Sequence, residues 1–152
     1  MPITVSLQDI VDGLEMVSDQ VEVYLDMQTG ETVIVTEDDR FELDINKIEQ
    51  APEWQREHLA FLRDNMETDR LVPFPSAFDI HEWSIMERFC GTVTNARHRE
   101  QLFDAIGGRG AFRMFRSTLD RLGLRDEWHA FREEALAEIA RDWLKENNIQ
   151  FT

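Results

Sequence analysis

Apolar residues recur along this chain with two periods, and the change of period marks out its elements. Leu7, Ile10, Val11, Leu14 and Val17 repeat at helical spacing. Ser6, with Asp9 three residues on, supplies the N-terminal cap of that helix. Val21 to Met27 alternates and is built on Val, Tyr and Val, which suits a strand. Gln28-Thr29-Gly30 reads as a turn and Thr32 to Thr36 as the returning strand, so the pair forms a β-hairpin. Glu37-Asp38-Asp39 begins a polar connection in which a short strand is expected at Arg40 to Leu43.

The helical period returns at Pro52, which opens a helix where its missing N–H costs nothing. Trp54, His58, Phe61, Leu62 and Met66 form its broad apolar side. Leu71 to Pro75 is too proline-rich for a helix and is expected to be a connector. Ser76, with Asp79, caps a further helix running to about Val93. Asn95 starts another that ends near Gly107, and a third runs from about Gly110 to Leu122 and stops at Gly123. The last extends from Arg125 or Asp126 to about Asn147, with Trp128, Phe131, Ala135, Ile139 and Trp143 on one side. The expected class is α+β: an N-terminal helix and β-hairpin packed on a mainly helical C-terminal bundle. One domain over 1–152 is expected, with a hairpin subregion at 1–45 and the bundle at 52–147.

Composition narrows this further. A 152-residue chain buries roughly 70% of its unfolded surface and needs no disulfide or metal to fold. Cys90 is the only cysteine, so no internal disulfide forms and a reducing compartment is expected. The N-terminus lacks the basic and apolar regions of a signal peptide. No apolar run approaches the roughly 18 residues of a membrane span. The expectation is a soluble cytoplasmic protein.

Charge is unevenly placed. Residues 1–76 carry 18 acidic and 5 basic residues, or −13, against 13 and 11, or −2, in 77–152. Within 88–125 eight arginines face Glu100, Asp104 and Asp120, giving +5. The overall −15 argues against direct nucleic-acid binding, because phosphate attraction needs clustered positive charge. The asymmetry does permit self-association through complementary surfaces.

The glycine-rich, basic stretch Gly107 to Arg116 is the one break in the acidic character. Gly107 and Gly108 are suited to ending a helix in a left-handed conformation, and Gly110 leaves the next helix start uncrowded. At 100° per residue, Arg109, Arg113 and Arg116 share one stripe, with Phe112, Phe115, Leu119 and Leu122 on another. Arginine forks beside a helix N-terminus match phosphate or carboxylate, which makes Arg109, Gly110, Arg113 and Arg116 a candidate anion site. The alternative is a tight turn whose arginines pair with the chain's own carboxylates. The Gly-Lys-Ser/Thr ending of a phosphate-binding loop is absent.

Glu82 is the second anomaly, because it shares a helical stripe with Phe78, Ile85 and Phe89. A carboxylate there must be paired, neutral, or in a cleft. An arginine of the Gly107–Arg116 element is its expected partner. Glu82 with His81 is then either an acid/base pair or part of a structural salt bridge. The four histidines, His58, His81, His98 and His129, fall on separate predicted helices, and no metal or cofactor is expected. The cluster Glu37, Asp38, Asp39, Glu42, Asp44 lacks the glycine and terminal glutamate of a calcium loop and reads as a solvated acidic loop.

Four ordered motifs carry a resemblance. They are Tyr24-Leu25-Asp26 with Thr29-Gly30-Glu31; His81-Glu82-Trp83-Ser84-Ile85-Met86; Gly108-Arg109-Gly110-Ala111-Phe112-Arg113; and Trp128-x-x-Phe131 with Trp143-Leu144. Together they resemble a bacterial family of small acidic proteins known as an uncharacterised protein family, over nearly the whole chain. The resemblance implies a cytoplasmic bacterial protein and assigns no functional residue. Three function classes stay open: a binding or regulatory module that contacts a protein partner through charged surfaces, an enzyme or sensor for a phosphorylated or carboxylated small molecule at Glu82 and the arginines, and an acidic mimic of nucleic acid.

Overall fold

The computed structural model of the chain describes residues 2–44 and 48–152. The side chain of Asp44, last of the acidic cluster, and the subregion boundary drawn at residue 45 lie outside the described residues. The fold is α+β, with a small antiparallel sheet and a helical C-terminal region. Two compact units make it up. The first comprises the chain to Asp79 together with Ala140–Thr152, and the second is Ile80–Ile139.

The first unit opens with strand β1 (Thr4–Val5) and helix α1 (Leu7–Met16). Ser6 caps α1 as its sequence requires, accepting the Asp9 N–H at 3.0 Å. The inward face is Ile10, Val11, Gly13 and Leu14. Strands β2 (Val21–Asp26) and β3 (Thr32–Thr36) pair antiparallel from Val21↔Thr36 to Leu25↔Thr32, the hairpin read from the alternation. Its five-residue loop turns on Gly30 at φ 80°, a left-handed conformation that glycine adopts without steric cost.

The next segments depart from expectation. No strand forms at Arg40 to Leu43; helix α2 (Glu37–Asp44) occupies that stretch. Thr36 and Asp39 cap it reciprocally, each side chain accepting the other's N–H at 3.2 and 3.1 Å. Three carboxylates in its first turn favour the positive end of the helix dipole. After a 3-10 turn at Ile48–Gln50 comes helix α3 (Glu53–Asn65). Its buried face is Gln55, Leu59 and Leu62, while Trp54, expected on the apolar side, points outward. Gln55 is tolerated inside because its amide donates to Asp39 at 2.9 Å.

Leu71 to Pro75 is also more than a connector: Leu71–Pro73 is strand β4, paired antiparallel with β2 from Tyr24↔Pro73 to Asp26↔Leu71. The sheet order β3-β2-β4 puts it at an edge, where a proline lacking a ladder donor is tolerated. Tyr24, Val35, Leu62 and Leu71 form a buried cluster between sheet and α3. Phe74 packs against Trp143 with ring centroids 4.8 Å apart and planes tilted by 47°, and the Trp143 indole donates to the Pro73 carbonyl at 3.1 Å. Strand β5 (Gln150–Phe151) closes the unit by pairing parallel with β1.

The helix expected from Ser76 to Val93 is broken. Ser76 and Asp79 do form their capping box, but helix α4 (Ala77–Ile80) lasts one turn. His81 then takes φ 51°, ψ 65°, and helix α5 starts afresh at Glu82 and runs to Thr92. The break removes Phe78 from the Glu82 stripe and leaves it exposed.

In the second unit, α5 is followed by α6 (Ala96–Ile106), α7 (Ala111–Leu122) and the N-terminal part of α8 (Arg125–Glu146). Asn95 caps α6 through bonds from the Arg97 and His98 N–H groups. Gly123 ends α7 in a left-handed conformation. Phe89 sits at the centre of an edge-to-face aromatic core, 5.4 Å from Trp128, 5.5 Å from Phe131 and 6.2 Å from Phe115. Cys90, fully buried beside it in sequence, has its thiol pushed up to about 11 by that burial.

Candidate functional site

Glu82 is paired, but not by the Gly107–Arg116 element. Its partner is Arg132 of α8, which donates from Nε to Oε1 at 2.6 Å and from Nη2 to Oε2 at 3.3 Å. The pair is half-buried, with side chains 28% and 24% exposed. Because α5 restarts at Glu82, the carboxylate also lies in the first turn of a helix, where the dipole favours it. His81 does not join this pair; its Nδ1 shares a 2.7 Å hydrogen bond with Ser84 Oγ. The structure therefore gives Glu82 a bidentate ion pair between two helices and places His81 apart from it.

The Gly107–Arg116 element also differs from its sequence pattern. Gly107 is right-handed at φ −81°, and the left-handed residue is Gly110 at φ 70°. Helix α7 accordingly begins at Ala111, so Arg109 precedes it and leaves the stripe, while Arg113 and Arg116 remain on the helix. All three arginines are exposed. Among the described residues, none of the three lies within ion-pair distance of a carboxylate, so the expected internal pairing does not form.

A concavity lies in the first unit. An open groove of about 980 Å³ runs beside β3, bounded by α2, α3 and the hairpin loop. Two buried carboxylates organise its floor. Asp39 Oδ1 accepts from Gln55, and Oδ2 accepts the Thr36 N–H and lies 3.6 Å from His58 Nε2. That nitrogen is also 3.0 Å from the Ile34 carbonyl. It faces two acceptors, so it carries the proton. Burial raises the Asp39 carboxyl, yet the bonds from Gln55 and Thr36 outweigh it and hold the group below its ordinary value.

Asp26 is the second floor carboxylate. Arg70 grips it from Nε at 3.0 Å and Nη2 at 2.9 Å, and the Gln28 N–H adds a third bond at 2.9 Å. The Arg70 hydrogen bonds, followed by that of Gln28, overcome the cost of burial and lower the Asp26 carboxyl from 3.8 to about 2. The Arg70 guanidinium lies 4.9 Å from the centre of the Phe61 ring, a cation–π contact. Every buried side-chain polar atom among the described residues has a partner. The floor's buried polar side chains are thus satisfied by groups of the chain itself.

The rim is different. Trp54 is 80% exposed and Phe41 61% exposed, and both line the groove with Glu31, Asp38 and Glu42. Large exposed aromatics beside carboxylates offer apolar area and attraction for cations at the same place. Among the described residues no group of three or more His, Cys, Asp or Glu is placed to hold a metal ion. None of the groove residues stood out as a site in the sequence. Asp38, Asp39 and Glu42 read as a solvated loop, and Trp54 read as core.

A family model covers the chain from end to end, residues 1–152. The chain belongs to the uncharacterised protein family UPF0158. A UPF0158 protein of Pseudomonas aeruginosa is 24% identical over 150 residues, spanning 98% of this chain and 86% of that relative. No solved structure matches the chain. The bacterial resemblance read from the four motifs is this UPF0158 membership, and the family's description assigns no chemistry to any residue. Among the described residues of this UPF0158 member, no helix is long and apolar enough to cross a membrane.

Proposed function

We propose that this chain is a non-catalytic, cytoplasmic binding protein that contacts a protein partner through charged surfaces, with the groove beside β3 as its contact surface. The observation that carries the reading is the pair of exposed aromatics, Trp54 and Phe41, set on the rim of an acidic groove. Exposed Trp is costly in water and is enriched where interfaces bury it. The floor supports binding rather than turnover, because Asp26, Asp39, Arg70 and Gln55 are already engaged with one another. The partner surface is cationic and carries apolar side chains, since Glu31, Asp38 and Glu42 flank the aromatics.

The test is photocrosslinking in living bacteria with benzoylphenylalanine placed at position 54. The expected result is a discrete protein adduct that disappears in the Asp38→Lys/Glu42→Lys background. A chain that yields no adduct from position 54 overturns the reading.

A further inference from the structure

We propose that the groove beside β3 receives helix α7 from a second copy of this chain; this rests on the reading of the groove as a binding surface. The argument begins with what α7 leaves outside. Its buried side is Ala111, Phe115, Thr118 and Leu119. Phe112, Arg116 and Arg113 follow one another across an arc of about 100° on the exposed side. Phe112 is 52% exposed, and the two arginines have no carboxylate within ion-pair distance among the described residues. An apolar ring at the edge of a two-arginine stripe is thus presented to solvent.

The groove presents the complementary set. Trp54 and Phe41 offer ring faces to a phenyl group or a guanidinium. Glu31, Asp38 and Glu42 offer carboxylates to arginine forks. The match holds on the larger scale too, since residues 1–76 carry −13 and residues 88–125 carry +5. A groove of about 980 Å³ has room for the side chains of one helix face. The two surfaces are different, so the contact is heterologous: each copy offers one groove and one helix.

That property gives a decisive experiment, sedimentation velocity on the full chain at low and high salt. The wild-type chain is expected to sediment above its 17.9 kDa monomer mass at low salt and to dissociate at high salt. Asp38→Lys/Glu42→Lys reverses the groove, and Arg113→Glu/Arg116→Glu reverses the helix. Each double variant alone is expected to associate about 100-fold more weakly, because like charges then face each other. Mixed in equal amounts the two regain association, since Lys groove meets Glu helix and acidic groove meets Arg helix. This recovery also shows that both variants are folded. A wild-type chain that is monomeric at both salt concentrations overturns the proposal, as do double variants that associate like wild type or fail to recover on mixing. The photocrosslink at position 54 separates the two readings. An adduct to another protein and none to this chain overturns the second-copy contact and leaves the binding reading standing, whereas no adduct overturns both.

Discussion

Replacing Asp26 by Asn removes a buried charge while keeping a side chain able to accept the Gln28 N–H. In the folded chain Arg70 holds the Asp26 carboxyl at about 2, against 3.8 for the free group. A carboxyl lowered on folding contributes stability that is complete above the unfolded value and lost as pH falls through the folded one. Here the window is pH 4 to 2. The drop from 3.8 to about 2 corresponds to about 2 kcal/mol at pH 7, and less than about 0.5 kcal/mol of it remains at pH 2. Asp26→Asn should therefore cost about 2 kcal/mol at neutral pH, lowering the urea midpoint by roughly 1 M. The gap between wild type and variant should close on acidification to pH 2. Two measurements check this: carboxyl-carbon NMR titration of Asp26 in the native chain, and urea unfolding of both proteins at pH 7, 4, 3 and 2. An Asp26 that titrates near 4, or a stability gap unchanged at pH 2, would refute the argument that Arg70 dominates this site.

Other outcomes follow from packing and pairing. A Cβ at Gly13 would meet Phe74 Cε2 at 2.5 Å and Cζ at 3.0 Å, and Phe74 is buried against Trp143. Gly13→Ala should then cost about 1–3 kcal/mol by thermal or urea unfolding, and less in a Phe74→Leu background, where the ring is gone. Glu82→Ala should cost about 1–3 kcal/mol, because the pair with Arg132 is half-buried. Arg132→Ala should add less in that background than alone, and fully additive losses would show that the two residues are not coupled.

Much of this fold was legible in the sequence because its signals are local. Ser6, Asn95 and Gly123 mark helix ends by bonding or turning within a few residues of themselves. The hairpin around Gly30 follows from alternation on either side of a turn. The same local chemistry explains α2 after the fact: Thr36 and Asp39 form a capping box, a signal hidden in a run that is otherwise simply acidic. What tertiary structure decided was every pairing between distant elements. Leu71–Pro73 becomes a strand because β2 offers it an edge, and no local preference in a proline-rich segment states that. Glu82 finds Arg132, 50 residues away, rather than the nearer arginine stripe, because helix packing sets which charges meet. The groove is the strongest case. Asp26 with Arg70, and Asp39 with Gln55 and His58, are brought together by sheet and helix positions. Trp54 stands outside because Gln55, satisfied by a buried carboxylate, takes the inward place that hydrophobicity alone would have given to the tryptophan.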